Sequence, residues 1–263
     1  MPESDVALLE RCVREAGAIA KAIYERPHET WSKKDGSPVT EADLAVNRYL
    51  NDKLHSARPD YAWLSEESED DPARLTARRV FVVDPIDGTL AFVKRRPHFT
   101  VSVAVVEDGH PIAGAVYNPL TGESFTAAKG EGAKLNGEPM RASPRQELDG
   151  CRMLASKATL NSPRWAPWPP MHVEVPNSIA YRVSLVACGA FDVAITMAAT
   201  HDWDLAAANL IIREAGGIIT SIEGEEPQYN RATIVQPSVL AAGPVLHAAV
   251  LARLARQGPH DCR

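Results

Sequence analysis

Hydrophobic residues recur at three- and four-residue steps from the start of the chain. Val6, Leu9, Val13, Ala16, Ala20 and Ile23 follow Ser4 and predict an amphipathic helix closed by Pro27. The polar run Ser32-Lys33-Lys34-Asp35-Gly36-Ser37-Pro38 reads as a turn or flexible loop. Thr40 stands where a helix cap belongs, with Asp43 three residues on, Leu44, Leu50 and Leu54 on an apolar side, and Arg58-Pro59 as the stop. Ala62-Trp63-Leu64 is strand-like. Val80 to Val83 is a continuous apolar run, as expected of a strand buried on both faces. Thr100 to Glu107 and Pro111 to Val116 flank Asp108-Gly109, a hairpin signal, and Asn118-Pro119 and Asn136-Gly137 punctuate two further strand-like segments. This middle third reads as an antiparallel meander.

The pattern changes after about residue 145. Cys151 to Ala155 reads as a strand, Ser178 to Cys188 as a helix stopped by Gly189, and Phe191 to Met197 as a strand. Asp202 is placed to cap a helix to Ala215, closed by Gly216-Gly217; Ile218 to Ser221 is a strand and Val245 to Leu254 a last helix. Alternating strands and helices predict an α/β half covering 146–263, after an α+β half over 1–145. Between the strand near 153 and the helix near 178 a segment with Pro163, Pro167, Pro169, Pro170, Trp165 and Trp168 reads as a surface loop of the length that often carries function.

Composition narrows the function classes. The 263 residues carry 28 Lys+Arg against 34 Asp+Glu, a net charge of −6, which argues against a basic nucleic-acid binder. Cys12, Cys151, Cys188 and Cys262 show neither a Cys-x-x-Cys pair nor zinc spacing, and MPESDVALLERC lacks the basic start of a signal peptide; both point to a reducing, cytoplasmic compartment. The most apolar stretch, Ser184 to Ala199, is interrupted by Gly189 and Asp192, so no membrane span is expected.

The acids then matter by position. Asp84-Pro85-Ile86-Asp87-Gly88-Thr89 follows directly on a buried strand. Pro85 stiffens the turn, Gly88 lets the backbone pass close to a ligand, and a helix opening at Gly88 and Thr89 would present free amides to a phosphate. Two carboxylates converging there repel unless a cation intervenes, and oxygen-only ligands select hard cations such as Mg²⁺. The competing explanation is an Asx-type turn with solvated acids. Glu66-Glu67 lies at another predicted strand end, though such an acidic run is commonly just solvated. Trp203-Asp204 opens a helix whose cap Asp202 already supplies, which leaves Asp204 for another task.

In this order, Glu66-Glu67-Ser68, Asp84-Pro85-Ile86-Asp87-Gly88-Thr89 and His201-Asp202-Trp203-Asp204 resemble the inositol monophosphatase superfamily, and the likeness runs from Lys34 to Gly217. The resemblance implies a layered αβαβα sandwich of the inositol monophosphatase and sugar phosphatase type, lithium sensitivity, and two or three Mg²⁺ per active site. It implies that Glu66, Asp84 and the Ile86 carbonyl hold one Mg²⁺ and that Asp84, Asp87 and Asp204 hold another. Asp43 and Thr89, with Glu66, would orient the attacking water, and the Gly88 and Thr89 amides would cradle phosphate. Such a pair of ions clamps the attacking and leaving oxygens of an in-line displacement, so no covalent nucleophile is required, and Ser184 and Cys188 read as core or helix residues.

The substrate implied is a small phosphorylated molecule. Ile195 to Thr200 contains no acid where the inositol-specific branch grips a ring hydroxyl. Phe92-Val93-Lys94-Arg95 and Phe99 to Tyr117 instead resemble bacterial 3'(2'),5'-bisphosphate nucleotidases, whose Lys is matched by Arg182. An extra cation suits a second phosphate, whereas the plain alternative for Arg182 is a helix-surface arginine. Ser156 and Lys157 match a pair on the substrate side, His201 reads as structural, and many relatives are homodimers. The readings carried forward are adenosine 3',5'-bisphosphate, then inositol, histidinol or sugar phosphates, and remotely a non-catalytic nucleotide-binding module.

Overall fold

Among the described residues, helices and two principal sheets stack in five layers. The computed structural model describes residues 3–34, 36–162 and 165–255. Its elements are α1 (Asp5–Tyr24), β1 (Thr30–Ser32), β2 (Pro38–Thr40), α2 (Glu41–Ala57), β3 (Ala62–Ser65), β4 (Arg79–Asp87), α3 (Thr89–Val93), β5 (Thr100–Glu107), β6 (His110–Asn118), β7 (Glu123–Ala128), β8 (Ala133–Leu135) and β9 (Glu138–Pro139) in the first half. The second half adds β10 (Arg152–Ala155), α4 (Lys157–Leu160), β11 (His172–Glu174), α5 (Ile179–Ala187), β12 (Val193–Thr196), β13 (Thr200–His201), α6 (Asp202–Glu214), β14 (Ile218–Thr220), β15 (Val235–Gln236), β16 (Val239–Ala242) and α7 (Pro244–Ala255).

The meander expected from the turn signals is present as a seven-stranded sheet, β3-β4-β5-β6-β7-β8-β9, antiparallel apart from the edge pair β3 and β4. Asp108-Gly109 and Asn136-Gly137 turn their hairpins with φ of 49°, 80°, 51° and 86°, the positive values a twisted two-residue loop requires. One face of this sheet buries Leu9, Val13, Val46, Leu50 and Leu54 of α1 and α2 against Phe81, Val83, Val101 and Val103. The other face meets α5 and α6, which in turn cover a five-stranded sheet, β11-β10-β12-β16-β14. The far side of that second sheet packs Met153, Val193 and Leu240 against Leu246 and Val250 of α7. The result is the expected αβαβα order, and the middle core draws residues from both halves of the chain, from Leu64 to Ala241. At Gly114 a Cβ would stand 3.0 Å from the Ala207 backbone, so a bare α-carbon is what lets α6 lie this close to the sheet.

Several expectations are corrected. Leu44 is 42% exposed; the apolar side of α2 is Ala42, Val46, Leu50 and Leu54, four residues apart on one face, and position 44 falls on the opposite face. The turn expected within 32–38 stands, and it closes a short hairpin in which Ser32 of β1 pairs with Pro38 of β2. The second sheet is mixed, since β16 and β14 run antiparallel to their neighbours and interrupt the strand–helix alternation. The Pro/Trp-rich segment is anchored: Trp165 is 7% exposed within the α7-side core, and Arg253 donates to the Trp165 and Pro167 carbonyls and stacks on Trp168. Its large apolar rings outweighed the prolines in deciding burial. Pro163 and Cys262 lie outside the described residues. Cys12, Cys151 and Cys188 are free thiols, and no described helix is long and apolar enough to cross a membrane.

Candidate active site

The predicted acidic turn does not end its strand. β4 continues through Asp87, with Asp84 paired to Ser102 and Asp87 to Thr100 across a register shift. That bulge re-aims both carboxylates to one side. Gly88 follows at φ 97°, where an added Cβ would lie 2.9 Å from the His98 carbonyl. The left-handed turn starts α3 at Thr89, so the Gly88 and Thr89 amides open a helical turn as anticipated.

Carboxylate oxygens of Asp84, Asp87 and Asp204 all lie within 4.8 Å of one another. Asp204 arrives from the other half of the chain, 117 residues beyond Asp87. Asp202, expected to cap α6, is not its cap. His201 is the N-cap of α6, and Asp204 closes a capping box by accepting from the His201 amide at 2.7 Å. Asp202 is a buried acceptor for the Asn230 amide and the Gln236 side chain, both at 2.8 Å. The box fixes Asp204 at the helix mouth instead of occupying it fully, since a carboxylate has several lone pairs. His201 stacks on Trp203, with ring centroids 4.8 Å apart.

Asp87 is also tied down. It accepts from Ser178 Oγ at 2.5 Å and from the Ile179 and Ala180 amides at 3.2 and 2.6 Å. The first turn of α5 therefore anchors this acid, a role that sequence reading missed although Ser178 ahead of an apolar run is an N-cap signal. Burial nevertheless pushes Asp87 up to about 6. Burial, then the charges of Glu66, Asp87 and Asp204, raise Asp84 well above the carboxylate range, and burial followed by Asp87 does the same to Asp204. Two buried and one half-buried donors, oxygen-only and mutually repelling, fit a hard divalent cation: such a cluster needs positive charge, and among the described residues no nitrogen or sulfur ligand competes for it.

Asp43 and Thr89 meet as predicted. Thr89 Oγ1 lies 3.1 Å from Asp43 Oδ1 and 3.1 Å from the Ile86 carbonyl. Thr40 binds Asp43 Oδ2 through its amide at 2.8 Å and through its hydroxyl, leaving Oδ1 for Thr89. Burial pushes Asp43 up to about 6. Glu66 sits beside the trio but not within it. Lys33, at the hairpin tip, binds Glu66 at 2.7 Å and also reaches Glu67. Lys33 was not singled out from sequence; in a polar run it carries no distinguishing signal.

The substrate-side residues divide. Arg182 on α5 is 9% exposed, not a helix-surface arginine; its Nε donates to the Pro176 carbonyl at 2.5 Å and it feels the Asp87 charge. Ser156 caps α4, accepting from the Thr159 amide at 3.1 Å, while Lys157 is exposed. Among the described residues no hydrogen bond or ion pair joins either of them to the carboxylates.

A model of the inositol monophosphatase family matches residues 2–259. The chain belongs to that family. Within the family, it is 33% identical over 230 residues to Nus factor SuhB of Escherichia coli, covering 81% of this chain and 84% of that protein. It is 32% identical over 235 residues to the 3'(2'),5'-bisphosphate nucleotidase CysQ of Aggregatibacter actinomycetemcomitans (86% and 87% covered). It is 31% identical over 259 residues to the inositol-1-monophosphatase of Caulobacter vibrioides (94% and 99%). The crystal structure of extragenic suppressor protein suhB from Bartonella henselae matches with a TM-score of 0.84 at 26% identity, covering 94% of this chain and 96% of that one. As a member of the inositol monophosphatase family, the protein is a Mg²⁺-dependent phosphatase acting on small phosphorylated substrates.

Proposed function

We propose that the protein is a 3'(2'),5'-bisphosphate nucleotidase, hydrolysing adenosine 3',5'-bisphosphate to AMP and phosphate. The observation that carries this reading is Arg182: a guanidinium 9% exposed, held by one carbonyl at Nε, with no other hydrogen bond among the described residues. Its fork of terminal N–H groups suits a second phosphate, which inositol 1-phosphate lacks.

In this reading Asp84, Asp87 and Asp204 hold Mg²⁺, and Glu66 with the Ile86 carbonyl completes a second position. When bound, Mg²⁺ supplies charge neutralisation at the phosphoryl oxygens and lowers the proton affinity of water. The remaining work belongs to the chain. Thr40 fixes Asp43 so that Oδ1 faces Thr89 Oγ1, and a proton leaving the attacking water passes to Thr89 Oγ1 as the Thr89 proton moves to Asp43 Oδ1. The Gly88 and Thr89 amides bind the transferring phosphoryl group, where developing charge is greatest. Ser178 and the first turn of α5 keep Asp87 from swinging towards that charge. Ser156 and Lys157 are assigned to the sugar side of the pocket on the family likeness alone. The free thiols support a cytoplasmic setting, and family habit supports a homodimer.

Inositol 1-phosphate is the second reading, favoured by the near full-length match to the Caulobacter vibrioides enzyme. A kcat/KM panel over adenosine 3',5'-bisphosphate, inositol 1-phosphate, histidinol phosphate and fructose 1,6-bisphosphate separates them. The bisphosphate nucleotide should lead, and Arg182→Met should cut its kcat/KM by about 10- to 100-fold, the worth of a charged hydrogen-bonded pair, while sparing inositol 1-phosphate. Equal or better turnover of inositol 1-phosphate overturns the substrate assignment.

A further inference from the structure

Arg74 is among the largest fully buried side chains in the protein, 1% exposed, in a short 3-10 turn over Pro72–Thr76. Its fork grips Asp70 twice, at 2.5 and 2.9 Å, and Nη1 reaches across 156 residues to Asn230 Oδ1 at 2.8 Å and then to the Arg231 carbonyl at 3.1 Å. Asn230 returns a bond from Nδ2 to the Arg74 carbonyl at 3.1 Å. Asn230 holds φ 55°, a left-handed turn, and in that posture its amide meets Asp202 Oδ2 at 2.8 Å. Gln236 fills Asp202 Oδ1 at 2.8 Å and ties the same loop through the Gln228 carbonyl at 2.9 Å, while the Asp202 amide binds the Ile234 carbonyl at 2.9 Å. Two residues on stands Asp204.

We infer that Arg74 is a positioning residue: it clamps the 228–236 loop around the first turn of α6 and so fixes Asp204 relative to the carboxylates on β4. The segment carrying Arg74 directly follows the acidic run that begins at Glu66. One guanidinium therefore ties the front-half strand end, which bears Glu66, to the back-half helix mouth, which bears Asp204. A fork with both faces committed suits this better than an ammonium would, because the geometry is rigid in two directions. Partners that orient metal-binding side chains commonly govern metal affinity by about 10- to 100-fold when lost. The inference rests on Asp204 being a metal ligand.

Titration calorimetry of Mg²⁺ into metal-free protein tests it, with each variant's unfolding temperature recorded alongside. Arg74→Met keeps the apolar stem and removes the fork. Asn230→Gly keeps the left-handed turn and removes the side-chain bonds, so it stays folded where Arg74→Met does not. Each should raise the Mg²⁺ dissociation constant about tenfold. The double variant should be no weaker than the worse single, since both cut the same link. Arg152→Met breaks an ion pair to the buried Asp192 at 3.0 Å and serves as the control: it should lower the unfolding temperature and leave Mg²⁺ affinity unchanged. Affinity within twofold of wild type in both clamp variants overturns the clamp. Wild-type protein that binds no Mg²⁺ overturns instead the assignment of Asp204 as a ligand, so the two failures are distinct.

Discussion

Gathering so many buried acids in one site should make the metal-free protein more stable as pH falls through the weakly acidic range, opposite to ordinary acid denaturation. Asp43 and Asp87 are each raised from 3.8 to about 6, and Asp84 and Asp204 are raised well above 3.8. A carboxyl whose pKa is higher folded than unfolded binds protons more tightly in the folded state. Stability then falls as pH rises from about 4 through 6, and further for the two groups raised higher. A shift of about two units is worth about 3 kcal/mol for one such group at pH 7; interacting groups do not simply add. Surface acids held low by arginine, such as Glu3, Asp70 and Glu107, act in the other direction but only below about pH 4.5. His247, whose pKa burial lowers, also opposes the effect below about 6.5, so a variant is needed to isolate the cluster. Denaturant unfolding in EDTA at pH 5.5 and 7.5 should show the wild type more stable at 5.5, and Asp84→Asn should shrink the difference, leaving the share of Glu67 and Asp202, which burial also raises to about 6. Saturating Mg²⁺ at 100 times its dissociation constant should restore about 2.7 kcal/mol, with the larger gain at pH 7.5. Equal or greater wild-type stability at pH 7.5 in EDTA, or a Mg²⁺ gain that ignores pH, would refute the electrostatic account.

Further expectations concern single positions. Thr89→Val removes the hydroxyl between Asp43 and the Ile86 carbonyl, and kcat should fall about 10²-fold with Mg²⁺ affinity by calorimetry unchanged. Gly88→Ala puts a Cβ 2.9 Å from the His98 carbonyl at φ 97°; stopped-flow and equilibrium unfolding should show a loss of about 1–3 kcal/mol together with impaired turnover. Trp165→Ala empties an apolar site in the α7-side core, which includes none of the carboxylates. It should cost about 3 kcal/mol in unfolding free energy and leave kcat/KM within twofold.

What could be read from the sequence follows from what is local. Strands flanked by Asp108-Gly109 and Asn136-Gly137 and the capping box at Thr40 are decided by nearest neighbours, and they stand where the pattern put them. The Asp84–Thr89 turn was legible because two acids, a proline and a glycine after an apolar strand have few other uses. Its continuation as a bulged strand was not, since pairing with Thr100 depends on a register set elsewhere. The cap of α6 was misassigned between two adjacent candidates; the choice of His201 rests on β13 pairing with β15, a contact spanning 34 residues or more. Asp87 anchored by α5, Lys33 on Glu66 and the Arg74 clamp all join distant segments through polar side chains, which periodicity does not report. Trp165 shows the converse: proline content predicted a loop and the described part of the segment is one, but the size of the ring buried Trp165 within it.

Phosphate release from adenosine 3',5'-bisphosphate, measured with and without Mg²⁺ for the wild type and Asp84→Asn, decides whether the carboxylate cluster is a metal-dependent phosphatase site. Turnover should require Mg²⁺, be abolished by EDTA, and fall by about 10³-fold or more in Asp84→Asn at equal folded protein. Turnover that survives EDTA, or an Asp84→Asn enzyme as active as the wild type, would contradict that assignment.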